Sequence, residues 1–377
     1  MRREEFPPLQ DDLVYLDSAC MSLRPETVIE KVREYYTDYP GCSGRSHHQL
    51  SKSASEELGD ARKRVAEFID ADQDDMVFTS GTTEAINTVA SGFSAGKVII
   101  SDREHNSNLV PWQKNNREIE TVSTRQGFDL ESLEEKIGEG DLLSLVHVSN
   151  LDGFEVPVEE AVKIARENDA YTLIDAAQSI PHQPFSVEEL SPDFVAFSGH
   201  KMLGPSGTGA LYVSQRCQDS LEPLKYGGGA VKDSTYTDAT MEEFPDRMEP
   251  GLPNLAGFIG MGEAAGYLRE IGMKRVHRHE QKLTEKLLEL FSSIEEVETF
   301  CEGTGVISFK VEGMDSHQVA LMLDRQNIAV RSGMHCVHSW FNDREEEISV
   351  RASLHLYNNE RDVERLAEEV KKIAAVV

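Results

Sequence analysis

Two stretches decide how this chain reads: FVAFSGHKMLGPSGTGALY at 194–212 and, shortly before it, YTLIDAAQS at 171–179. Each begins as a short apolar run and ends in polar residues, as a buried strand does where it meets a crevice. Tyr171 to Ile174 run into Asp175, and Phe194 to Phe197 run into Ser198, Gly199, His200 and Lys201. Ligands of α/β proteins bind beyond the carboxyl ends of the strands, so a carboxylate, a hydroxyl, an imidazole and an amine are delivered to one place. That set suits pyridoxal 5′-phosphate (PLP), which needs a lysine for its Schiff base and an acid to keep its pyridine nitrogen protonated. A buried lysine could instead be half of a structural ion pair. Phosphate-binding candidates elsewhere in the chain favour chemistry.

Working outward, short apolar runs and helical patterns alternate from Met76 onward. Candidate strands lie at 76–79, 97–101, 119–122, 142–148, 171–174 and 194–197, with helices between them such as Val158 to Asn168. This alternation predicts an α/β fold with a mostly parallel sheet covered on both faces. Upstream, Thr27 to Tyr39 and Ser53 to Ile69 read as helices, the second with Leu58, Ala61, Val65 and Phe68 on one face. The rhythm changes near PGLPN at 250–254. Long helical patterns then run to Ser292, followed by short strands at 306–311, 328–331 and 348–352 and a helix striped by Val363, Leu366, Val370 and Ile373. A large domain over 15–255 and a smaller C-terminal α/β domain over 256–377, which takes in the N-terminal segment 1–14, are expected.

The 377 residues are enough for such a pair of domains, and 39% hydrophobic content supports a core. No apolar run approaches membrane-spanning length, and MRREEFPPLQDD lacks the apolar stretch of a signal peptide, so a soluble cytoplasmic protein is expected. The net charge of −29 disfavours nucleic acid and anionic membrane as partners, since both require cationic surface. The acidity is spread along helices, which fits either an ordinary solvated surface or a saline cytoplasm. Five cysteines, an odd number with no CxxC pair, argue against a disulfide framework or a cysteine zinc site, and no metal is expected. In a reducing compartment a single cysteine is free to act as a nucleophile.

FTSGTTEAIN at 78–87 is a strand, a Gly-Thr-Thr turn and a helix start, where unpaired N–H groups suit a phosphate. Alone it would pass for a threonine N-cap. Lys201, Ser198 and His200 tip it towards phosphate. His105 follows the strand that ends near Ser101 and could lie over a flat ring. Asn150 and Gln178 are uncharged donors at strand ends, suited to a phenolic oxygen or a substrate carboxylate.

The order GTTEAIN, EH, VSN, IDAAQS, FSGHK, YGGG and VRSGMHC resembles the class V group of PLP enzymes, and most closely the type II cysteine desulfurases. The match runs from YLDSA at 15–19 to VRASLHLYNNERDVERL at 350–366. It implies fold type I of the PLP-dependent transferases, with a mostly parallel seven-stranded sheet and a homodimer whose sites lie at the subunit interface. Lys201 matches the Schiff-base lysine, Asp175 the partner of the pyridinium nitrogen, His105 the ring-stacking histidine and Gln178 the residue at the phenolic oxygen. Thr82, Thr83, Ser198 and His200 match phosphate ligands. Arg351, assisted by Asn150, matches the arginine that takes the substrate carboxylate in a planar fork. Arg45 and His48, in GRSHHQLS, match residues of an active-site loop.

Cys336, in IAVRSGMHCVHSWF, matches the family's nucleophilic cysteine at the same distance from the arginine that matches Arg331. Its thiolate would attack the sulfur of PLP-bound L-cysteine, leaving a Cys336 persulfide for a sulfur-acceptor protein and releasing alanine. Arg331, His335 and His338 are the cations that could favour the thiolate. Alternatives are a packed thiol at Cys336, a metal on His335, Cys336 and His338, a selenocysteine lyase, or another class V reaction such as transamination, epimerisation or β-elimination that leaves Cys336 idle. Three departures stand out. Gly251-Leu252-Pro253 replaces the family's GTP, whose threonine reaches the phosphate across the dimer. YLDSACMS puts Cys20 and Met21 near the substrate end, and GMHC replaces GHHC.

Overall fold

The computed structural model describes residues 2–44 and 46–376. The large sheet is built from β1 (Met76–Thr79), β2 (Val98–Ser101), β3 (Ile119–Val122), β4 (Leu142–Val146), β5 (Tyr171–Asp175), β6 (Phe194–Ser198) and β7 (Gly209–Val213). Its spatial order is β1-β7-β6-β5-β4-β2-β3, seven strands as expected. All neighbours are parallel except β7, which runs antiparallel to both β1 and β6.

The two-residue side-chain period of a strand divides this sheet between two cores. Ile99, Leu143, Ile174, Val195, Phe197 and Ala210 face one buried cluster. Val98, Leu142, Leu173, Phe194, Ala196 and Leu211 face the other. Most sheet residues are therefore apolar, and the strands read as continuous runs rather than alternating ones. The first core is closed by the helix Gln49–Phe68, the helix Leu255–Ile271, whose residues from Phe258 to Ile271 share it, and the helix Val158–Glu167. The helix Thr82–Gly92 and the fully buried Trp112 close the second.

A second, antiparallel sheet follows: β8 (Val297–Phe300), β9 (Val306–Val311), β10 (Arg331–Gly333) and β11 (Ser349–Ser353), in the order β8-β9-β11-β10. Leu283, Leu287 and Phe291 of the helix Met273–Ser292 and Val363, Leu366, Val370 and Ile373 of the last helix, Glu360–Ala374, cover it. Each such side chain contributes about 1.5–3 kcal/mol when fully buried. The last helix starts at a capping box formed by Asn359 and Asp362. The N-terminal chain joins this unit: Val14–Tyr15 pairs with Ile328–Ala329, and Asp17 bridges to Ser353.

The turns beyond the strands are fixed by buried ion pairs. Arg103 is 3% exposed; it pairs with Asp152 and lies over the Phe154 ring at 4.4 Å, so the chains after β2 and β4 are held together. Breaking such a pair from one side leaves an uncompensated buried charge. Among the described residues no helix is long and apolar enough to cross a membrane.

Candidate active site

The parallel strands β1, β2, β4, β5 and β6 end on one side of the large sheet, and a cavity of 180 Å³ opens there. Lys201, Asp175, Gln178, His105, Thr82, Thr83, Ser198, His200, Asn150, Arg331 and Arg351 all line it, so eleven of the candidates meet in one place.

The floor combines charges of opposite sign. Asp175 ends β5, 3% exposed, and accepts the Ala177 N–H at 3.0 Å. Burial pushes its carboxyl up, while Lys201 and the Ala177 N–H pull it down. Burial likewise draws the Lys201 amine below the ordinary lysine value; Asp175 opposes this and Arg351 adds to it. A carboxylate facing a pyridine nitrogen and an amine made easier to deprotonate are the two groups PLP requires.

At one end the helix Thr82–Gly92 begins at Gly81 with no side-chain cap. Gly81 holds φ +148°, and a Cβ on Gly209 of β7 would lie 2.5 Å from the Gly81 Cα, so only glycines let these backbones meet. Ser198 Oγ accepts the Thr82 N–H at 2.9 Å and sits 2.7 Å from Thr82 Oγ1, and Thr83 Oγ1 is 2.8 Å from Ser107 Oγ. Four hydroxyls at a helix N-terminus form a cradle for a phosphate. His200 adds an imidazole that burial, with Lys201 and Arg24, holds at about 4, hence neutral. The Oε1 of Gln178 is buried and without a partner, while its Nε2 donates to the Ala19 carbonyl at 2.8 Å. His105 accepts the Ser107 N–H at Nδ1, 3.0 Å away. Burial, then Lys201, Arg351 and Arg331, pull its pKa to about 3, which leaves an uncharged ring. The residues present fit PLP.

The opposite wall belongs to the small sheet. Arg351, on β11 and 1% exposed, donates from Nη1 to the Asn150 carbonyl at 2.9 Å and from Nη2 to Asp17 at 3.3 Å. Its Nε is buried without a partner, which leaves one edge of the guanidinium for an incoming carboxylate. Cys336 is half-buried and stands beside this wall rather than among the cavity residues. Of its three candidate cations, Arg331 makes the contact, with Nη2 at 3.6 Å from Sγ. His335 bonds Ser349 Oγ at 3.0 Å and is held neutral, at about 2, by burial and then by Arg351 and Arg331. His338 meets Asn106 Nδ2 at 2.9 Å. His335 and Cys336 both take left-handed backbone, φ +49° and +62°. Such residues cost on the order of 1 kcal/mol or more each and persist where the surroundings hold them.

His48 does not join the cavity of its own chain. It is exposed and caps the helix Gln49–Phe68, accepting the Ser51 N–H at 3.2 Å. Arg45 lies outside the described residues. Leu252 is 66% exposed. Cys20 lines the cavity, in keeping with its expected place near the substrate end. Sequence reasoning missed Ser107 and Asp17. A hydroxyl two residues after His105 was one available sign; Asp17 gave none, because its partner Arg351 is 334 residues away.

The aminotransferase class-V family model matches residues 14–366. A protein named probable cysteine desulfurase from Methanothermobacter thermautotrophicus is 39% identical over 391 residues, covering 99% of this chain and 98% of that protein. The cysteine desulfurase of Haloferax volcanii is 36% identical, covering 95% and 88%. Among solved structures, the apo cysteine desulfurase of Thermococcus onnurineus NA1 matches with a TM-score of 0.95 at 36% identity, over 100% of this chain and 98% of that one. On this fold, this cavity and these likenesses, the chain belongs to the class V aminotransferase family of PLP-dependent enzymes and, within it, to the cysteine desulfurases.

Proposed function

We propose that the chain takes sulfur from L-cysteine, leaving L-alanine and a persulfide on Cys336, and passes that sulfur to an acceptor protein for iron–sulfur or thiolation chemistry. The observation that carries this reading is the anchoring of the Cys336 loop to both walls of the cavity. Asn150 Nδ2 donates to the His335 carbonyl at 2.7 Å and the Asn106 N–H to the Cys336 carbonyl at 2.8 Å, while Arg331 stands at the sulfur. A thiol held in strained backbone beside a guanidinium is placed for reaction rather than for packing.

When bound, PLP supplies a ring that stabilises negative charge at the substrate Cα. Asp175 would hold the proton on its ring nitrogen, Gln178 would meet its phenolic oxygen, and the uncharged His105 would lie against the ring. Thr82, Thr83, Ser198 and His200 would hold its phosphate. Arg351, with Asn150 fixing its orientation, grips the substrate carboxylate through the unpaired Nε edge. Lys201 anchors the cofactor and moves the proton at the substrate Cα, both tasks favoured by the depression of its amine. Cys336 Sγ bonds to the substrate sulfur as the Cβ–S bond breaks; the electron pair stays with the carbon skeleton, which is protonated to alanine. A homodimer would bring the exposed His48 to the neighbouring subunit's site.

The test is mass analysis of the PLP-loaded protein after L-cysteine without reductant. One added sulfur atom on the Cys336 peptide is expected. Turnover of L-cysteine with Cys336 unmodified, the sulfur leaving as sulfide and the carbon skeleton as pyruvate and ammonia, would overturn the reading.

A further inference from the structure

His182, Glu280 and His355 converge beside the Lys201 backbone, which His355 meets. One ring nitrogen from each histidine and a Glu280 carboxylate oxygen lie within 4.8 Å of one another. Glu280, in the middle of the helix Met273–Ser292, and His355 are both 0% exposed, and the His182 side chain is 12% exposed. His182 Nδ1 stands 2.9 Å from Glu280 Oε2, and His355 Nδ1 stands 3.2 Å from Glu280 Oε1.

Protons alone leave this cluster unsatisfied. The Leu356 N–H donates to His355 Nδ1 at 2.8 Å, which makes that nitrogen an acceptor. It then has no proton to offer Glu280 Oε1, and two lone-pair atoms face each other. Glu280 Oε1 is correspondingly buried without a hydrogen-bond partner, while His355 also meets the Lys201 backbone. An unmade bond of this kind costs about 1–3 kcal/mol, more for a charged group. A cation between the two rings and the carboxylate removes the conflict, with the Leu356 contact loosening as the nitrogen's lone pair turns to the ion. Two imidazoles and one carboxylate are the ligand set of zinc and its neighbours among the divalent transition metals, and leave a further position for water.

We infer that His182, Glu280 and His355 form a binding site for one divalent transition-metal ion of the zinc class. Its place in the fold gives it a structural task. His182 lies four residues after Gln178, and His355 lies four residues after Arg351. An ion there staples the segment carrying Asp175 and Gln178 to the strand carrying Arg351, through a helix of the second unit. The two walls of the cavity are then held in register. No spacing motif announces the site, because His182 and Glu280 are 98 residues apart.

The experiment titrates chelator-treated, PLP-loaded protein with Zn²⁺ by calorimetry and with Co²⁺ by visible absorption. Wild type, Glu280→Gln and His355→Phe are compared, all in a Cys336→Ser background so that this thiol cannot compete. The wild-type ligand set should take about one equivalent, give Co²⁺ bands without thiolate charge transfer, and raise the thermal midpoint on Zn²⁺ addition. Each ligand variant should bind at least ~10–100-fold more weakly, the scale that changes beyond the ligands already reach. Absence of saturable binding in the parent, or binding unchanged in the variants, overturns the proposal. If His355→Phe does not fold, Glu280→Gln, which keeps the side-chain shape, decides alone.

Discussion

Replacing Arg351 by lysine tests how the substrate is held. The change keeps a cation near Asp17 but removes the planar fork. In the structure Arg351 is 1% exposed, with Nη1 on the Asn150 carbonyl, Nη2 on Asp17, and Nε without a partner. A carboxylate docked on the free edge takes the Nε–H together with a remaining Nη hydrogen. Lysine keeps the attraction and one bond, so one charge-assisted hydrogen bond is lost, about 1.5–3 kcal/mol. At about 1.36 kcal/mol per tenfold, kcat/KM for L-cysteine should fall roughly 10–150-fold. The carboxylate is gripped equally in substrate and transition state, so the loss should appear mainly as a raised KM. The assay is alanine formed against L-cysteine concentration, with the bound cofactor's absorbance recorded to confirm loading. A change in kcat/KM of less than about 3-fold, below one weak hydrogen bond, would refute the assignment.

Two further outcomes follow from the geometry. Arg331→Met removes the guanidinium 3.6 Å from Cys336 Sγ and should slow alkylation of Cys336 by iodoacetamide at neutral pH roughly fivefold, the effect of ~1 kcal/mol of partly screened attraction; an unchanged rate would assign thiol activation elsewhere. His335 is held near 2 by burial and by Arg351 and Arg331, against an unfolded value of about 6.5. With the folded value depressed, the unfolded chain binds the proton first, so this stability is complete above about pH 6.5 and lost as pH falls towards 2. Between pH 7 and 5 the loss is ~2 kcal/mol, and in urea unfolding His335→Asn should be less sensitive to that pH change by this amount; equal sensitivity in both proteins would contradict it.

The strand ends were legible because β5 and β6 are buried on both faces, so their apolar runs stop abruptly at Asp175 and Ser198. Lys201, His105 and the Thr82–Thr83 turn each lie within a few residues of a strand, where chain order and space coincide. β7 was harder to see, since GALYV follows β6 after only a short glycine-rich turn, with no α-helix between them, and runs back antiparallel, breaking the strand–helix alternation. Similarly, β8 reads VETF, with exposed Glu298 and Thr299 at the edge of its sheet, a weak signal for a strand. The second wall was least legible. Asp17 meets Arg351, Asn150 meets His335, and His182 meets Glu280 only through tertiary packing. Which cation attends Cys336 was open for the same reason. Arg331, His335 and His338 all lie within five residues of Cys336, and Arg331, the farthest of the three, is the one that reaches the sulfur across the left-handed turn at 335–336.

The central claim is that Cys336 receives the sulfur. Its most direct test is alanine and sulfide production from L-cysteine, with a thiol reductant present, by the PLP-loaded wild type beside Cys336→Ala. The account predicts alanine and sulfide from the wild type, and loss of both from a variant that still carries its cofactor on Lys201. Undiminished sulfide release by Cys336→Ala would contradict it and make the chain a lyase that leaves this thiol idle.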